Sequence, residues 1–215
     1  MKLNEPFVIT ISREVGSGGR TIGRKLARKL NVHYSDKQLI KALEEKFNLT
    51  VYEIEKLKGE KQNWFKDFIQ FVAPVPRAST VIGMEMVHHA ADVKPNVDVN
   101  DVFLAEKEIL NGIADEGSCV IAGRSGFFVL DDRPNKVDIF ITASREKRIE
   151  RVMAKQNLSK EQAELLIDSL DKDRENYVQR YTGSSRSDLH NYDLVINMDL
   201  LTEDEAVKLI LDYIG

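Results

Sequence analysis

The sequence predicts an α/β fold, a parallel five-stranded sheet flanked by helices. Five apolar runs rich in β-branched residues, separated by helical patterns, occupy residues 7–11, 32–34, 118–122, 137–142 and 194–197. Capping-box pairs, which mark the starts of helices, occur at Ser35/Gln38, Thr50/Glu53, Ser159/Gln162 and Thr202/Glu205. Strands that alternate with helices favour a parallel sheet covered on both faces, and such sheets bind ligands at the carboxyl ends of their strands.

Length and composition limit the possible classes of protein. The 215 residues suffice for one domain with a full hydrophobic core, and we expect residues 1–215 to form a single domain. The net charge of −4 at pH 7 argues against binding to nucleic acid or to an anionic membrane surface. The single cysteine, Cys119, excludes an internal disulfide, and no apolar run reaches the 18 residues of a membrane helix. We therefore expect a soluble, cytoplasmic protein.

A strand, a glycine-rich turn and an amphipathic helix follow one another within residues 7–30. Glycine permits positive φ angles and close backbone approach, so the loop N–H groups and the helix N-terminus can converge on one anion. The candidate phosphate-binding residues are Arg13, Gly16, Ser17, Gly18, Gly19, Arg20 and Thr21. The alternative is a tight turn between strand and helix that binds no ligand.

The loop departs from the usual phosphate-binding pattern of Gly, four residues, Gly, Lys and Ser or Thr. Alignment on Gly18 places Gly19 at the lysine position, Arg20 at the hydroxyl position and Arg13 at the first glycine. Either Arg13 or Arg20 supplies the cation in this interpretation, because a guanidinium binds phosphate in a bidentate manner. Thr21, one residue after the position that normally holds Ser or Thr, supplies a hydroxyl group.

Arginines recur in the second half of the chain. Arg124 follows the strand at 118–122 in a Gly-Arg pair, which would direct its guanidinium toward the ligand edge of the sheet. Three more arginines, spaced three residues apart, lie at the start of the helix after 137–142, and the next helix ends with Arg174 and Arg180. The arginines at 145–151 alternate with glutamates, so a solvated face with weak ion pairs is the alternative.

These motifs, in this order, resemble the cytidylate kinase-like branch of the P-loop nucleoside monophosphate kinases. The segments that carry the resemblance are ITISREVGSGGRTIGRKLA, HYSDKQLI, GSCVIAGRSGFFVL, REKRIERV, DKDRENYVQRYTG and NYDLVIN. The resemblance implies a three-layer P-loop NTPase fold with a helical insert at about 60–100 and a lid at about 145–185. The insert is the least recognisable part: it packs on the core, covers the acceptor as a mobile lid, or forms a homo-oligomer contact.

The resemblance also implies roles for the candidate residues. Residues 16–21 would hold the phosphates of ATP, with Thr21 and Asp36 near Mg²⁺. Asp36, Lys37 and Arg124 would bind a small phosphorylated acceptor. The catalytic cations would be Arg20, Arg148, Arg151, Arg174 and Arg180. Phosphoryl transfer needs positioning, Mg²⁺ and such cations more than covalent chemistry.

Two departures leave the function open. Ala122 stands where a carboxylate often precedes Gly-Arg in these kinases, and Thr142 stands where cytidylate kinases commonly have an acidic residue. The first hypothesis is an ATP-dependent kinase that moves the γ-phosphoryl group to a nucleoside monophosphate, with CMP as one candidate. The second is a degenerate kinase fold that binds nucleotide or phosphate without turnover. Dinucleotide binding is a third, because Gly16, Gly18 and Asp36 fit part of that fingerprint.

Overall fold

A computed structural model describes residues 1–36, 45–46, 99–123 and 125–215 of the chain. The strands are β1 (Val8–Arg13), β2 (His33–Ser35), β3 (Cys119–Ala122), β4 (Lys136–Thr142) and β5 (Leu194–Asn197). The α-helices are α1 (Gly19–Leu30), α2 (Val99–Asp115), α3 (Gly126–Val129), α4 (Arg145–Gln156), α5 (Lys160–Thr182) and α6 (Glu203–Ile214), and a 3-10 turn spans Leu189–Asn191. Within these described ranges no helix has both the length and the apolar character needed to cross a membrane.

The five strands form one parallel sheet in the order β2-β3-β1-β4-β5. The central strand β1 pairs with β3 on one side and β4 on the other, so that Ile9 lies opposite both Val120 and Val137. Residues 8–11 of β1 are all buried, as expected for a strand covered on both faces. The predicted α/β class with a parallel five-stranded sheet is therefore confirmed.

Helices cover both faces of the sheet and create three layers. On one face Ile9 and Ile11 pack in a core with Ile22 and Leu26 of α1 and with Ile210 of α6. On the other face a second core packs β1 and β3 against α2 and α3, through residues that include Val8, Val102, Leu110, Cys119 and Ile121. The alternation of β1 side chains between these two cores follows from the two-residue period of a strand.

Helix starts agree with the capping predictions wherever the structure describes both partners. Ser159 and Gln162 at the start of α5, and Thr202 and Glu205 at the start of α6, form reciprocal capping boxes. Gln38, the partner of Ser35, lies outside the described residues, as do Thr50, Glu53 and nearly all of the predicted insert.

The expected face of α2 is partly wrong. The apolar spacing of Val102, Ala105, Ile109 and Ile113 predicts one buried face. Val102 and Ala105 are buried, whereas Ile109 and Ile113 are only partly buried at the margin of the core. Leu110 and Ala114, one position further along, are the buried residues. Because α2 also contacts Tyr177 of α5 through Phe103 and Glu106, its buried side chains do not follow a single stripe, and the predicted face is right only in the first half of the helix.

Candidate active site

A cavity of about 840 Å³ opens at the carboxyl edge of the sheet. Its floor is the β1–α1 loop, and its walls come from the ends of β2 and β3, from α4 and α5, and from the first turn of α6. This is the position at which parallel α/β sheets bind ligands. The geometry therefore brings the predicted loop and most of the predicted arginines to one place.

Glycine conformation gives the loop its shape. Gly16 and Gly18 have φ angles of 83° and 92°, in the left-handed region that favours glycine. A Cβ atom on Gly16 would lie 2.6 Å from the backbone oxygen of Arg148, so the loop touches the backbone of α4 directly. Residues 16–19 can make this approach only because position 16 has no side chain.

The loop presents unused N–H groups at the start of α1. Within the described part of the chain, the backbone N–H groups of Gly16, Gly18, Gly19 and Arg20 have no hydrogen-bond partner. No side chain caps the helix, and its first turn contains no acidic residue. The positive end of the helix dipole is thus neither capped nor neutralised by its own turn, which suits an incoming anion.

The two hydroxyl-bearing residues of the loop have different surroundings. Ser17 is fully buried, and its hydroxyl donates a 2.9 Å hydrogen bond to the carbonyl oxygen of Glu14. Its carbonyl oxygen accepts a 3.1 Å bond from Arg151. Ser17 is the one residue of the predicted 16–21 segment that does not line the cavity, whereas Thr21 does line it. The backbone N–H of Ser17 also donates to the carbonyl oxygen of Glu14, at 3.3 Å, so the hydroxyl and both backbone polar groups of Ser17 are engaged within the protein.

Asp36, at the end of β2, lies between two guanidinium groups. Its carboxylate is 2.7 Å from Nε of Arg20 and 3.6 Å from Nη2 of Arg13. Half of the Arg20 side chain is exposed, whereas Arg13 is only 12% exposed. Below this cluster Tyr34 donates a hydrogen bond to the Arg20 carbonyl oxygen, and burial, assisted by the Asp36 charge, raises the pKa of its phenol.

The predicted catalytic arginines divide into two groups. Arg151 and Arg174 line the cavity. Arg148 does not: it is 9% exposed, and its Nη1 atom lies 2.6 Å from a carboxylate oxygen of Asp171. Arg180 is exposed, outside the cavity wall, with its guanidinium carbon 5.7 Å from the centre of the Tyr181 ring. Because Arg20 also lines the cavity, the structure brings three of the five predicted catalytic arginines to it.

Asp171 connects the loop to the arginines, and the sequence analysis assigns it no role. Its carboxylate accepts a 3.0 Å hydrogen bond from the backbone N–H of Val15. The same group lies 2.6 Å from Arg148, 3.1 Å from Arg186 and 3.5 Å from Arg174. Asp171 thus fixes both the entry to the loop and the positions of three cations.

Arg186 and Ser125 are further cavity residues that the sequence analysis misses. Arg186 has an 8% exposed side chain and donates to the carbonyl oxygen of Arg13 at 3.4 Å. Ser125 is 6% exposed with a φ of 54°, and in the described part of the structure its hydroxyl has no hydrogen-bond partner. Its neighbour Arg124, and Lys37 after β2, lie outside the described residues.

Charge around the cavity favours an anionic ligand. Among the described residues, six cationic side chains line it against four carboxylates, in a chain whose net charge is −4. The cationic group comprises Arg13, Arg20, Arg151, Lys155, Arg174 and Arg186, and the acidic group comprises Glu14, Asp36, Asp173 and Glu203. A concave surface with this balance concentrates negative charge.

The donor set indicates how a metal ion would be held. The described residues contain no group of three or more His, Cys, Asp or Glu side chains placed to hold a metal. Mg²⁺ commonly keeps several waters and binds through one or two protein oxygens together with substrate phosphates. Thr21, which lines the cavity and carries a hydroxyl, fits that second mode, whereas Asp36 already has two arginine partners.

Sequence comparison identifies a family. A profile of the cytidylate kinase-like family matches residues 8–200. A cytidylate kinase of Pyrobaculum neutrophilum is 28% identical over 213 residues, covering 96% of this chain and 92% of the relative. A cytidylate kinase of Sulfurisphaera tokodaii is 26% identical over 213 residues, covering 97% and 96%.

Solved structures agree on the fold. An uncharacterized protein from Eubacterium ventriosum superposes with a TM-score of 0.66 at 22% identity, covering 97% of this chain and 98% of that one. A shikimate kinase from Bacteroides thetaiotaomicron gives a TM-score of 0.53 at 16% identity, with 96% and 97% covered. The fold is thus that of P-loop kinases, as predicted. Since the family profile spans residues 8–200, this protein belongs to the cytidylate kinase-like family.

Proposed function

We propose that this protein is an ATP- and Mg²⁺-dependent kinase that phosphorylates a nucleoside monophosphate, with CMP as the first candidate acceptor. The observation that carries the proposal is the row of unpaired loop N–H groups at the uncapped start of α1, on the floor of a net cationic cavity. Membership of the cytidylate kinase-like family and the names of the aligned relatives support a nucleotide substrate.

The donor nucleotide would lie over the β1–α1 loop. The N–H groups of Gly16, Gly18 and Gly19 would donate to oxygens of its phosphates, as helix N-termini commonly do. Mg²⁺, bound with the nucleotide and held by the Thr21 hydroxyl, supplies neutralisation of the phosphate charge. Arg151 and Arg174 lie on the cavity wall, where their charges would stabilise the equatorial oxygens of the transferring group.

The transfer itself requires little covalent assistance. An oxygen of the acceptor monophosphate attacks the γ-phosphorus, the bond to the β–γ bridging oxygen breaks, and the bonding electron pair leaves with ADP. The attacking oxygen is already ionised at neutral pH, so no general base is needed. Asp36, Lys37 and Arg124 are proposed to bind the acceptor. Arg20 would position Asp36, and Arg148 would act through the loop that it contacts rather than on the phosphates.

An ADP-release assay with a panel of nucleoside monophosphates tests this function. We expect ADP formation that depends on Mg²⁺ and rises when one monophosphate is added, within the range of about 1–100 per second that is usual for kinases. Arg174→Ala should lower turnover by about 100-fold or more, because it removes a cation from the reacting group. Arg28→Ala, at an exposed position of α1 away from the cavity, is the matched control and should retain full turnover. Failure of every monophosphate to stimulate ADP release would contradict the proposal.

A second candidate is a nucleotide-binding protein without significant turnover. It is favoured by Gly19 at the lysine position of the loop and by Ala122 at the end of β3, where a carboxylate would orient the waters of the metal ion. This candidate predicts that ATP raises the melting temperature while no ADP appears. Turnover of several per second would exclude it.

A further inference from the structure

Position 19 of the loop lacks the lysine that phosphate-binding loops normally carry, and the structure shows what occupies the space. The side-chain stem of Arg13 lies against Gly19. We propose that Arg13, from the end of β1, is the catalytic residue that supplies the missing positive charge to the nucleotide phosphates. Gly19 and Gly123 then serve to make room for it. This inference rests on the proposed kinase function and identifies the cation of that same site.

The side chain of Arg13 leaves no space for a side chain at position 19. A Cβ atom built on Gly19 would lie 2.6 Å from Cβ and 3.1 Å from Cγ of Arg13. Such distances are far below van der Waals contact, and both Arg13 atoms are close to the backbone and cannot move far. A lysine at 19 and an arginine at 13 are therefore alternatives that one loop cannot hold together.

Gly123 leaves space for the guanidinium group of Arg13. Its Cβ would lie 2.0 Å from Nη1 of Arg13, and its φ of 83° is itself a conformation that favours glycine. The guanidinium thus lies beside Gly123, directly after the end of β3. Gly19 lies beside Cβ and Cγ of Arg13, and Gly123 lies beside its guanidinium group, so two glycines in different parts of the fold accommodate one side chain.

The surroundings hold Arg13 in place, in contrast to Arg20. The carboxylate of Asp36 lies 3.6 Å from its guanidinium, and the side chain is 12% exposed. Arg174 and Arg186 both donate to its carbonyl oxygen, at 3.3 and 3.4 Å, so the backbone is anchored as well. A pre-positioned cation in a partly enclosed cavity loses little entropy when it binds phosphate. Arg20 is 50% exposed and held at 2.7 Å by Asp36, which makes it the positioning partner.

An exchange of the two positions tests the proposal. The variants are Arg13→Gln, which keeps the stem and removes the charge, Gly19→Lys, and the double variant Arg13→Gly/Gly19→Lys. In the double variant the nearest remaining atom to the lysine Cβ would be Cβ of Ile141, at 3.3 Å, a contact relieved by a shift of a few tenths of an ångström. Arg28→Ala on the exposed face of α1 is the control. Binding of inorganic tripolyphosphate is measured by titration calorimetry, and turnover by ADP release.

We expect Arg13→Gln to lose about 10- to 100-fold in tripolyphosphate affinity and about 100- to 1,000-fold in turnover. Gly19→Lys should lose comparable activity despite its added charge, because its side chain collides with Arg13. The double variant should regain at least about tenfold in turnover over either single change, a non-additivity typical of residues in contact. The ligand-free melting temperature of each variant verifies folding, and Arg13→Gln preserves the packing.

Retention of wild-type affinity and turnover in Arg13→Gln would overturn the inference, as would a double variant no more active than Gly19→Lys. Wild-type protein that binds neither tripolyphosphate nor ATP would instead overturn the proposed function. The two failures are therefore distinguishable.

Discussion

Replacement of Gly16 by alanine tests the contact on which the shape of the loop depends. The new Cβ would lie 2.6 Å from the carbonyl oxygen, 2.9 Å from Cα and 3.0 Å from the carbonyl carbon of Arg148. All three are backbone atoms of α4, so no side chain can rotate away. The loop or the helix must shift, and the left-handed φ of 83° adds strain.

The size of the effect follows from two contributions. The left-handed conformation costs a non-glycine residue about 1–2 kcal/mol. Forcing a methyl group into a filled space costs about 1–3 kcal/mol more. Gly183→Ala is the matched control, because Gly183 has a φ of 68° but none of the described residues places an atom within 4 Å of its Cβ position. Gly183→Ala incurs only the cost of the left-handed conformation. The two variants should therefore differ by about 1–3 kcal/mol in the free energy of unfolding, which is the cost of the packing clash.

Urea denaturation followed by circular dichroism measures this difference, and calorimetry with ATP and Mg²⁺ measures the effect on the loop. Gly16→Ala should unfold at lower urea concentration than Gly183→Ala and should lose most of its nucleotide affinity, because the loop N–H groups are displaced. Equal stabilities for the two variants would refute the claim that the loop rests on the backbone of Arg148.

Four further predictions concern a buried carboxylate, the buried cysteine and one helix cap. Asp171→Asn removes the negative charge that Arg148 and Arg186 share, and both of these side chains are largely buried. The free energy of unfolding, measured by urea denaturation, should therefore fall by about 3–5 kcal/mol. Burial raises the pKa of the Cys119 thiol from 9.0 to about 11, so a thiol reagent at pH 8 should modify folded protein at least about 100-fold more slowly than urea-unfolded protein. Because the unfolded thiol ionises first, wild-type stability should also fall relative to Cys119→Ala as the pH rises from 9 toward 11. Thr202→Ala removes the cap of α6 and should cost about 1 kcal/mol, measured as a lower melting temperature.

Local signals in the sequence predict most of the fold. The five apolar runs lie within one or two residues of the observed strands, because each is buried on at least one face. Capping predicts the starts of α5 and α6, since the hydrogen bonds that define a cap span only three residues. The strand order β2-β3-β1-β4-β5 depends on pairing between distant segments, so no local pattern in the sequence predicts it.

The site residues are predictable where a short motif lies directly after a strand, because the motif then gives both the residue types and their place at the edge of the sheet. Glycine spacing after a strand predicts the loop, and the structure places all of residues 16–21 except Ser17 on the cavity wall. The arginines of α4 show the limit. These three arginines are spaced evenly but have different surroundings. Arg145 forms an ion pair with the exposed Asp168, and Arg148 is buried and forms an ion pair with Asp171. Arg151 lines the cavity. Each partner lies in another element, so spacing alone cannot separate them.

The same reason explains the missed residues. Arg186 and Asp171 are fifteen residues apart, and neither lies in a periodic pattern that distinguishes it from a surface charge. Only the fold brings both against the loop. Ser125 lies beside the quoted Gly-Arg pair, so a polar residue directly after a strand-end motif is a signal that could have found it.

A crystal structure with Mg²⁺ and a non-hydrolysable ATP analogue tests the central claim most directly. We predict phosphate oxygens at about 3 Å from the backbone nitrogens of Gly16, Gly18 and Gly19, with the Arg13 guanidinium on the same phosphates. A triphosphate bound elsewhere on the molecule, with these N–H groups still facing solvent, would contradict the account.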